Sequence, residues 1–306
     1  MRVLIVASGN GGGMAPFVEE QAEALRKAGV EVRLFLVEGH GVMGYLRNLT
    51  RLKDDLNTTL THLIHCHYGL CGLLATLQHR VPVVTTYHGS DVNDPKVLPF
   101  SRLAARRSRF NIFVSTRLAS RCGASRSRSA VLPCGVDTSL FRPISRAEAR
   151  LQLGLDPSAR YVLFAGAFAN AVKNAPLAKA AVALLPGVKL LELSGYSRRE
   201  VALLMNAADV LLMTSHSEGS PQVVKEALAC AQPVVSVSVG DVPLLLDGVE
   251  GCHVVARDPQ VIASALVRAM ATGRTNGPGR VAALELDNAQ VAQKLLSIYK
   301  NILAPK

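Results

Sequence analysis

Two glutamates eight residues apart are the strongest chemical feature of the sequence. Glu218 precedes the turn Gly219, Ser220, Pro221, and Glu226 follows it in a segment with helical spacing of apolar residues. We expect Ser220 to be the N-cap of this helix and Pro221 its first residue. Free backbone N–H groups and the helix dipole would then form an anion site. A carboxylate there can accept hydrogen bonds from ribose or hexose hydroxyls, each worth about 1.5–3 kcal/mol. The alternative is a capped helix with a surface glutamate.

Two loops that are expected to follow buried strands are also candidate binding sites. His88 comes after an apolar run and precedes Gly89, so we expect it at the carboxyl end of a strand. Gly11–Gly13 follow the first apolar run and precede a helical pattern, where glycines let the backbone approach a phosphate or sugar closely. A structural histidine and a flexible turn are the alternatives.

The sequence gives little support for a metal site or for disulfide bonds. His62, His65 and His67 form H-x-x-H-x-H, but only His65 and His67 share a strand face and no fourth ligand is obvious, so we expect no zinc. The six cysteines lack C-x-x-C pairs and mostly lie in strand-like runs, which predicts buried free thiols in a reducing cytoplasm.

Positive charge is concentrated in one segment. Arg102–Arg128 contains eight arginines and no acid, in a chain of net charge +11. Solvated helix faces are one explanation; a surface for an anionic membrane or a lipid-diphosphate acceptor is the other. No recognition motif or aromatic stacking platform accompanies the charge, so we expect no nucleic-acid partner.

Composition sets the fold class. The 306 residues are 49% hydrophobic and 19% charged, which excludes a disordered chain. The longest apolar stretches are about eight residues against roughly twenty for a spanning helix, so no membrane span is expected. Near-continuous apolar runs of strand length alternate with helical periodicity. They are Arg2–Ser8, Glu31–Val37, His62–Tyr68, Val81–Tyr87, Asn111–Ser115, Ala130–Pro133, Tyr161–Gly166, Val188–Leu193, Asp209–Ser215, Pro233–Val239 and Cys252–Ala256.

This alternation predicts parallel sheets with right-handed crossovers, in an α/β protein of two doubly wound domains. Residues around 136–146 follow neither period and contain Pro143, so a boundary is expected there. We predict an N-terminal domain over 1–140, a C-terminal domain over 141–286, and a last helix within 287–306 that crosses back to the first domain.

The spacing of Glu218 and Glu226 resembles the E-x(7)-E motif of retaining glycosyltransferases of family 4. These enzymes have the GT-B fold, in which two Rossmann-like domains face a central cleft. Other segments resemble further motifs of the family in the same order. They are Gly11–Gly13, TYHGSD at Thr86–Asp91, LPCGVDTSLFRP at Leu132–Pro143, VKNAPLA at Val172–Ala178 and SGYSRREVALLMNAADVLLMTSHSEGSPQ before Glu226. Within the family the chain is similar to enzymes of bacterial cell-surface polysaccharide assembly, teichuronic-acid-type enzymes included.

The resemblance implies hexosyl transfer from a nucleotide-diphosphate sugar with retention at the anomeric carbon. It places Lys173 on the diphosphate, Glu226 on the ribose hydroxyls, Glu218 near the donor sugar and His88 in the cleft; the candidate catalytic residues are His88, Lys173 and Glu218. The candidate donor-binding residues are Gly12, Gly13, Gly166, Asn170, Lys173, Tyr196, Gly219, Ser220, Pro221 and Glu226. An ammonium and helix N–H groups would stabilise the leaving group, so we expect no metal and no cofactor besides the donor substrate.

The resemblance also implies that the first domain binds a glycan or lipid-linked acceptor. Together with the cysteines and the arginine-rich segment, this predicts a cytoplasmic protein, peripheral at the inner membrane face. The chain departs from the family at Ala167, where an arginine is usual, at Cys134, where an asparagine is usual, and in a short first domain between Val37 and His62. A non-catalytic nucleotide-sugar-binding subunit is therefore one alternative. A Rossmann dehydrogenase is another, although a clean G-x-G-x-x-G is lacking and only Glu38 stands near the end of the second strand.

Overall fold

The computed structural model describes residues 1–10, 12–39 and 41–305, and the chain divides into two compact units. Unit 1 comprises Met1–Gly135 together with Asn288–Lys306, and unit 2 comprises Val136–Asp287. The division therefore falls at residues 135/136 and 287/288.

The described residues form strands and helices in regular alternation. The strands are β1 (Arg2–Ser8), β2 (Glu31–Val37), β3 (Leu63–His67), β4 (Val83–Tyr87), β5 (Phe110–Phe113), β6 (Ser129–Val131), β7 (Arg160–Phe164), β8 (Val188–Glu192), β9 (Val210–Met213), β10 (Val234–Val237) and β11 (His253–Val255). The helices are α1 (Pro16–Lys27), α2 (Gly41–Leu46), α3 (Asn48–Thr58), α4 (Gly69–Ala75), α5 (Ser90–Asn93), α6 (Leu98–Arg107), α7 (Thr116–Cys122), α8 (Arg146–Gln152), α9 (Ala175–Ala183), α10 (Arg198–Ala207), α11 (Gln222–Ala229), α12 (Val242–Leu246), α13 (Pro259–Thr272), α14 (Gly277–Ala283) and α15 (Asn288–Leu303).

Unit 1 is built on a parallel sheet with the strand order β2-β1-β3-β4-β5-β6. Its strands are apolar on both faces because both faces are covered. In β1, Val3 and Ile5 pack in one core with residues of α1 and α15. Leu4 and Val6 pack in the opposite core with residues of α3 and α4.

The last helix, α15, belongs to unit 1. Its buried stripe contains Val291, Ala292, Leu295 and Tyr299, and it packs against α1. The Tyr299 hydroxyl lies 2.5 Å from Nδ1 of His65 in β3. The helix therefore completes one face of the sheet to which residues 1–135 contribute the strands.

Unit 2 is built on a second parallel sheet, with the order β11-β10-β9-β7-β8. In β7, Leu163 packs with α10 and α11 on one face, and Val162 and Phe164 pack with α9 and α13 on the other. The predicted class, two doubly wound parallel-sheet α/β units, is thus confirmed.

Residues 1–10, 12–39 and 41–305 contain no helix with both the length and the apolar character needed to cross a membrane.

Candidate active site

Four loops of unit 2 share one edge of its sheet. Because all strands of this sheet are parallel, the loops after β7, β8, β9 and β10 lie at its carboxyl edge, where ligands of such sheets bind. The predicted site residues of unit 2 lie in these loops or in the helices that follow them. They are Gly166, Asn170, Lys173, Tyr196, Gly219, Ser220, Pro221, Glu218 and Glu226.

An ion pair joins two of these loops. Nζ of Lys173, from the loop after β7, lies 2.7 Å from Oε1 of Glu218, from the loop after β9. Their side chains are 23% and 15% exposed. The pair is shielded enough for its charges to act strongly and open enough for a ligand to reach it.

The backbone around Lys173 is held by side chains. Oδ1 of Asn170 accepts a hydrogen bond from the Val172 N–H at 3.0 Å and caps the short 3₁₀ turn that ends at Lys173. The Thr214 hydroxyl donates to the carbonyls of Lys173 and Asn174, both at 2.9 Å. Asn170 therefore positions the loop that carries the ammonium.

Two glycines permit the close approach of these loops. Gly166 has φ +146°, and a Cβ there would lie 2.9 Å from Cγ of Lys173. Gly240, after β10, has φ +56°, and a Cβ there would lie 2.7 Å from the carbonyl oxygen of Gly219. A larger residue at Gly166 would displace the lysine stem, which gives this predicted site residue a physical role.

Glu226 lies on α11 and is 3% exposed. Its Oε1 accepts a hydrogen bond from the Arg198 guanidinium at 2.6 Å, and Arg198 also lies over the Phe141 ring at 4.7 Å. Arg198 is the first residue of α10, which follows β8. Tyr196, two residues earlier, is 44% exposed and offers an aromatic face at the same edge.

The predicted start of α11 is wrong by one residue. Pro221 is the N-cap, with ψ 119°, and no side chain caps the helix, which begins at Gln222.

Ser220 instead lies beside Asp241. Burial raises the pKa of the Asp241 carboxyl, and the Ser220 hydroxyl and the Lys225 ammonium lower it. Lys225 is fully buried. Sequence analysis missed Asp241 and Lys225, since an acid after β10 and a lysine on an apolar helix have no distinctive spacing.

Three histidines of unit 1 form a chain of contacts. Nδ1 of His67 lies 2.9 Å from Nε2 of His88, and the two rings stack with centroids 5.1 Å apart. Nδ1 of His88 lies 3.7 Å from Sγ of Cys134. His65 contacts Tyr299 and, at 2.7 Å, Oγ1 of Thr86. The chain thus places His88 at the carboxyl end of β4 with both ring nitrogens against protein atoms.

The H-x-x-H-x-H histidines face different partners. Nδ1 of His62 accepts from the Arg2 N–H at 3.1 Å, whereas His65 faces Tyr299 and His67 faces His88. In the part of the chain that the structure describes, no group of three or more His, Cys, Asp or Glu side chains is arranged to hold a metal ion.

The buried histidines predict acid sensitivity. Burial lowers the pKa of His65 to about 3, and burial together with His65 and His88 lowers the pKa of His67 well below its usual value. Both rings take up protons in the unfolded chain below pH 6.5 but not in the folded one, so stability is lost as pH falls. We expect the free energy of unfolding to fall by about 1.4 kcal/mol per pH unit for each histidine.

Urea unfolding followed by circular dichroism between roughly pH 5.5 and 4.5, where the unfolded histidines are protonated and the folded ones are not, measures this slope. The variant His65→Gln keeps a polar side chain but no titratable ring, and its slope should be smaller by one proton. An unchanged slope would show that His65 is protonated in the folded protein.

A pocket of about 530 Å³ lies within unit 1, between the loop after β1 and the starts of α4 and α5. Gly12 and Gly13 line it, as do Tyr45 and Tyr68. Gly11 lies outside the described residues.

Tyr68 has φ +73° and packs on the His88 ring at 4.9 Å. Such a conformation costs a non-glycine residue of order 1–3 kcal/mol and is found mostly at functional sites. Backbone strain has no sequence signature, so Tyr68 was missed.

The arginine-rich segment forms an exposed surface on α6, α7 and the following turn. Three arginines donate to backbone carbonyls: Arg102 to Arg121, Arg121 to Val92 and Asn93, and Arg107 to Thr76. The other five are also exposed; they are Arg106, Arg109, Arg117, Arg126 and Arg128. Phe100 and Leu103 on α6 are 38% and 44% exposed.

Comparisons with known proteins give a consistent class. A family model described as glycosyltransferase family 4 matches residues 42–140, and one described as glycosyl transferases group 1 matches residues 162–272. The chain is 29% identical to D-inositol 3-phosphate glycosyltransferase of Mycolicibacterium gilvum, over 85% of this chain and 77% of that protein. It is 28% identical to the Mycolicibacterium smegmatis protein of the same name, over 82% and 77%.

Solved structures show the same fold. Sucrose-phosphate synthase from Thermosynechococcus elongatus matches with a TM-score of 0.83 and 20% identity, over 99% of each chain. HepE of Anabaena, solved with UDP and glucose, matches with a TM-score of 0.78 and 18% identity, over 97% of this chain and 99% of that one. The predicted GT-B fold is confirmed, and the dehydrogenase alternative is not supported. With one glycosyltransferase family model matching in each unit, and relatives named as glycosyltransferases matching across both units, the chain is similar to glycosyltransferases of the family 4 type.

Proposed function

We propose that the protein transfers a hexosyl unit from a nucleotide-diphosphate sugar to a hydroxyl of a glycan or lipid-linked acceptor, with retention of the anomeric configuration. The Lys173–Glu218 pair at the carboxyl edge of the unit 2 sheet carries this proposal. The similarity to D-inositol 3-phosphate glycosyltransferases and to HepE solved with UDP and glucose supports a nucleotide-sugar donor.

The site residues have distinct roles in this reaction. The bond between the anomeric carbon and the diphosphate oxygen breaks, and a bond to the acceptor oxygen forms on the same face. The acceptor proton passes to the leaving phosphate oxygen. Lys173 lies on the diphosphate and stabilises its growing charge, Glu218 binds the donor sugar, and Glu226 binds the ribose hydroxyls. His88, whose ring nitrogens face His67 and Cys134, lies near the anomeric centre and contacts the sugar through its ring edge. Because the ammonium supplies the positive charge, transfer should persist in excess EDTA.

A transfer assay tests the proposal. The purified chain is incubated with UDP-, GDP- and ADP-sugars and a bacterial lipid and glycan extract, and nucleoside diphosphate release and sugar incorporation are both measured. Equal amounts of both products support transfer. Donor binding without either product would favour the alternative of a non-catalytic nucleotide-sugar-binding subunit, for which Ala167 in place of the usual arginine is the motivation.

We further propose that the protein acts in cell-surface polysaccharide synthesis at the cytoplasmic face of the membrane and binds anionic lipid through the surface formed by Arg102–Arg128. The exposed Phe100 and Leu103 lie on α6, in or next to the segment that carries the exposed arginines. This is the combination of charge and apolar side chains by which proteins bind the interface of anionic bilayers.

Vesicle flotation measures this binding. Removing three arginines in the variant Arg106→Ala/Arg109→Ala/Arg117→Ala should weaken binding to vesicles containing phosphatidylglycerol on the order of 100-fold, at about 1 kcal/mol for each arginine. The control Arg142→Ala/Arg160→Ala/Arg268→Ala removes the same charge from exposed positions of unit 2 and should bind nearly as the wild type. Equal binding to neutral vesicles, or equal loss in both variants, would contradict the proposed surface.

A further inference from the structure

The described residues that line the unit 1 pocket carry net negative charge. Among the described residues that line it, none is a lysine, arginine or histidine, and the charged ones are Asp91 and Asp94. Asp94 is exposed, with Oδ1 accepting a hydrogen bond from the Lys96 N–H at 2.8 Å. This is unexpected in a unit whose surface is strongly basic, because a phosphorylated ligand would need a cation or free N–H donors close to its phosphate.

Two backbone donors beside the pocket are already engaged, and a third position has none. The N–H groups of Gly12 and Gly13 donate to the Gly9 carbonyl at 3.2 and 3.3 Å. Pro16, the first residue of α1, has no N–H. Three positions of the glycine loop and the start of α1, where other proteins bind phosphate, thus offer no free N–H here.

Asp91 occupies the donors at two further helix starts. Its Oδ1 accepts from the N–H groups of His88 and Gly89 at 3.1 and 2.9 Å, and its Oδ2 accepts from the Gly69 N–H at 3.0 Å. The carboxylate is buried, so burial raises its pKa and these three bonds lower it. An anion entering the pocket would meet a carboxylate where it needs a donor.

Neutral hydroxyl groups line the pocket instead. Burial raises the pKa of Tyr45 and of Tyr68, so both phenols stay protonated at neutral pH. Ser8 and Ser90 add two more hydroxyls. Each hydroxyl both donates and accepts, which suits a ligand that is itself rich in hydroxyls.

We propose that this pocket binds the acceptor, which reassigns its lining residues Gly12 and Gly13 from the donor to the acceptor, and that the acceptor group held there is an uncharged sugar or polyol, not a phosphorylated one. Tyr45 and Tyr68 bind its hydroxyls, and Asp91 and Asp94 disfavour a phosphate. The identification of the ligand as the acceptor rests on the proposed function. The preference of the pocket for neutral ligands is measured independently of that function.

Two matched pairs of probes test it: myo-inositol with inositol 3-phosphate, and methyl glucoside with glucose 6-phosphate. Binding of each to the full chain is measured by saturation-transfer NMR, and transfer to each by kcat/KM with any donor that the protein uses. Within each pair we expect the neutral member to bind and to be used at least about tenfold better, because two carboxylates oppose the phosphate. Preference for the phosphorylated members, or no binding by either neutral member, would overturn the inference.

Charge substitution locates the effect. Asp94→Lys should raise the use or binding of the phosphorylated probes relative to the neutral ones by about tenfold. Ser90→Lys is a second variant. It leaves the hydrogen bond between Asp94 and the Lys96 N–H intact and should shift the preference in the same direction. Asp54→Lys makes the same charge change at an exposed position on α3 and should leave the preference unchanged. An equal shift in Asp54→Lys would show that the preference for neutral probes comes from the overall charge of the protein and not from the pocket.

The two proposals fail separately. A chain that binds no nucleotide sugar yet binds the neutral probes contradicts the proposed function and keeps the pocket assignment. A chain that transfers sugar to the phosphorylated probes in preference contradicts the inference alone.

Discussion

Replacing Lys173 by methionine should lower kcat for glycosyl transfer about 10²–10³-fold, the typical cost of removing one group that stabilises developing charge. Methionine keeps most of the stem that packs on Gly166 but has no ammonium to place against the diphosphate. Its loss also leaves the Glu218 carboxylate without the lysine 2.7 Å away, which adds repulsion toward the leaving group. Initial rates at saturating donor measure the effect.

Lys189→Met is the matched control. Lys189 is an exposed lysine of the same unit, on β8, and its loss removes the same charge from the protein. The control should retain the wild-type rate. If Lys173→Met transferred sugar as fast as Lys189→Met, the ammonium would have no part in the reaction.

Replacing Glu226 by glutamine should weaken donor binding roughly 10- to 100-fold, since hydrogen bonds to a charged group are worth about 1.5–3 kcal/mol and a neutral amide is a weaker acceptor. The shape of the side chain is kept, and Arg198, at 29% exposure, stays solvated. The donor Kd from calorimetry should therefore rise while kcat at saturating donor falls less.

The exposed Glu250 provides the control for this change. Glu250→Gln should bind the donor as the wild type does. Circular dichroism shows whether Glu226→Gln is folded. A folded Glu226→Gln protein with wild-type donor affinity would remove Glu226 from the nucleoside site.

The strands were predictable because both faces of each sheet are covered. A strand such as β9, buried at every position, appears in the sequence as an uninterrupted apolar run. α1 was equally clear, since Pro16 begins it and Gly29, with φ +83°, follows its end. The edge strand β6 is the shortest and least buried strand of its sheet, and it spans residues 129–131.

Candidate site residues were predictable where spacing carried the information. Glu218 and Glu226 sit in one short segment, so a motif reveals them. Arg198, the partner of Glu226, comes from a different loop, and the contact between them depends on how α10 packs beside α11. No local pattern encodes such a pair.

The conformation of loop ends could not be predicted from the sequence either. The extended ψ of Pro221 moves the start of α11 to Gln222, although Ser-Pro is a common helix start. The strained Tyr68 and the carboxylate of Asp91, which fills the backbone donors of two loops, follow from tertiary packing. These features decide what the unit 1 pocket can bind.

The most direct test of a nucleotide-sugar site at the carboxyl edge of the unit 2 sheet is isothermal titration calorimetry with UDP-glucose, GDP-mannose and ADP-glucose, on the wild type and on Lys173→Met. We predict that at least one donor binds the wild type with a Kd below about 1 mM and binds Lys173→Met at least about tenfold more weakly. If none of the three binds the wild type, or if the one that binds does so equally well without the ammonium, the claim that a nucleotide sugar binds at Lys173 is contradicted.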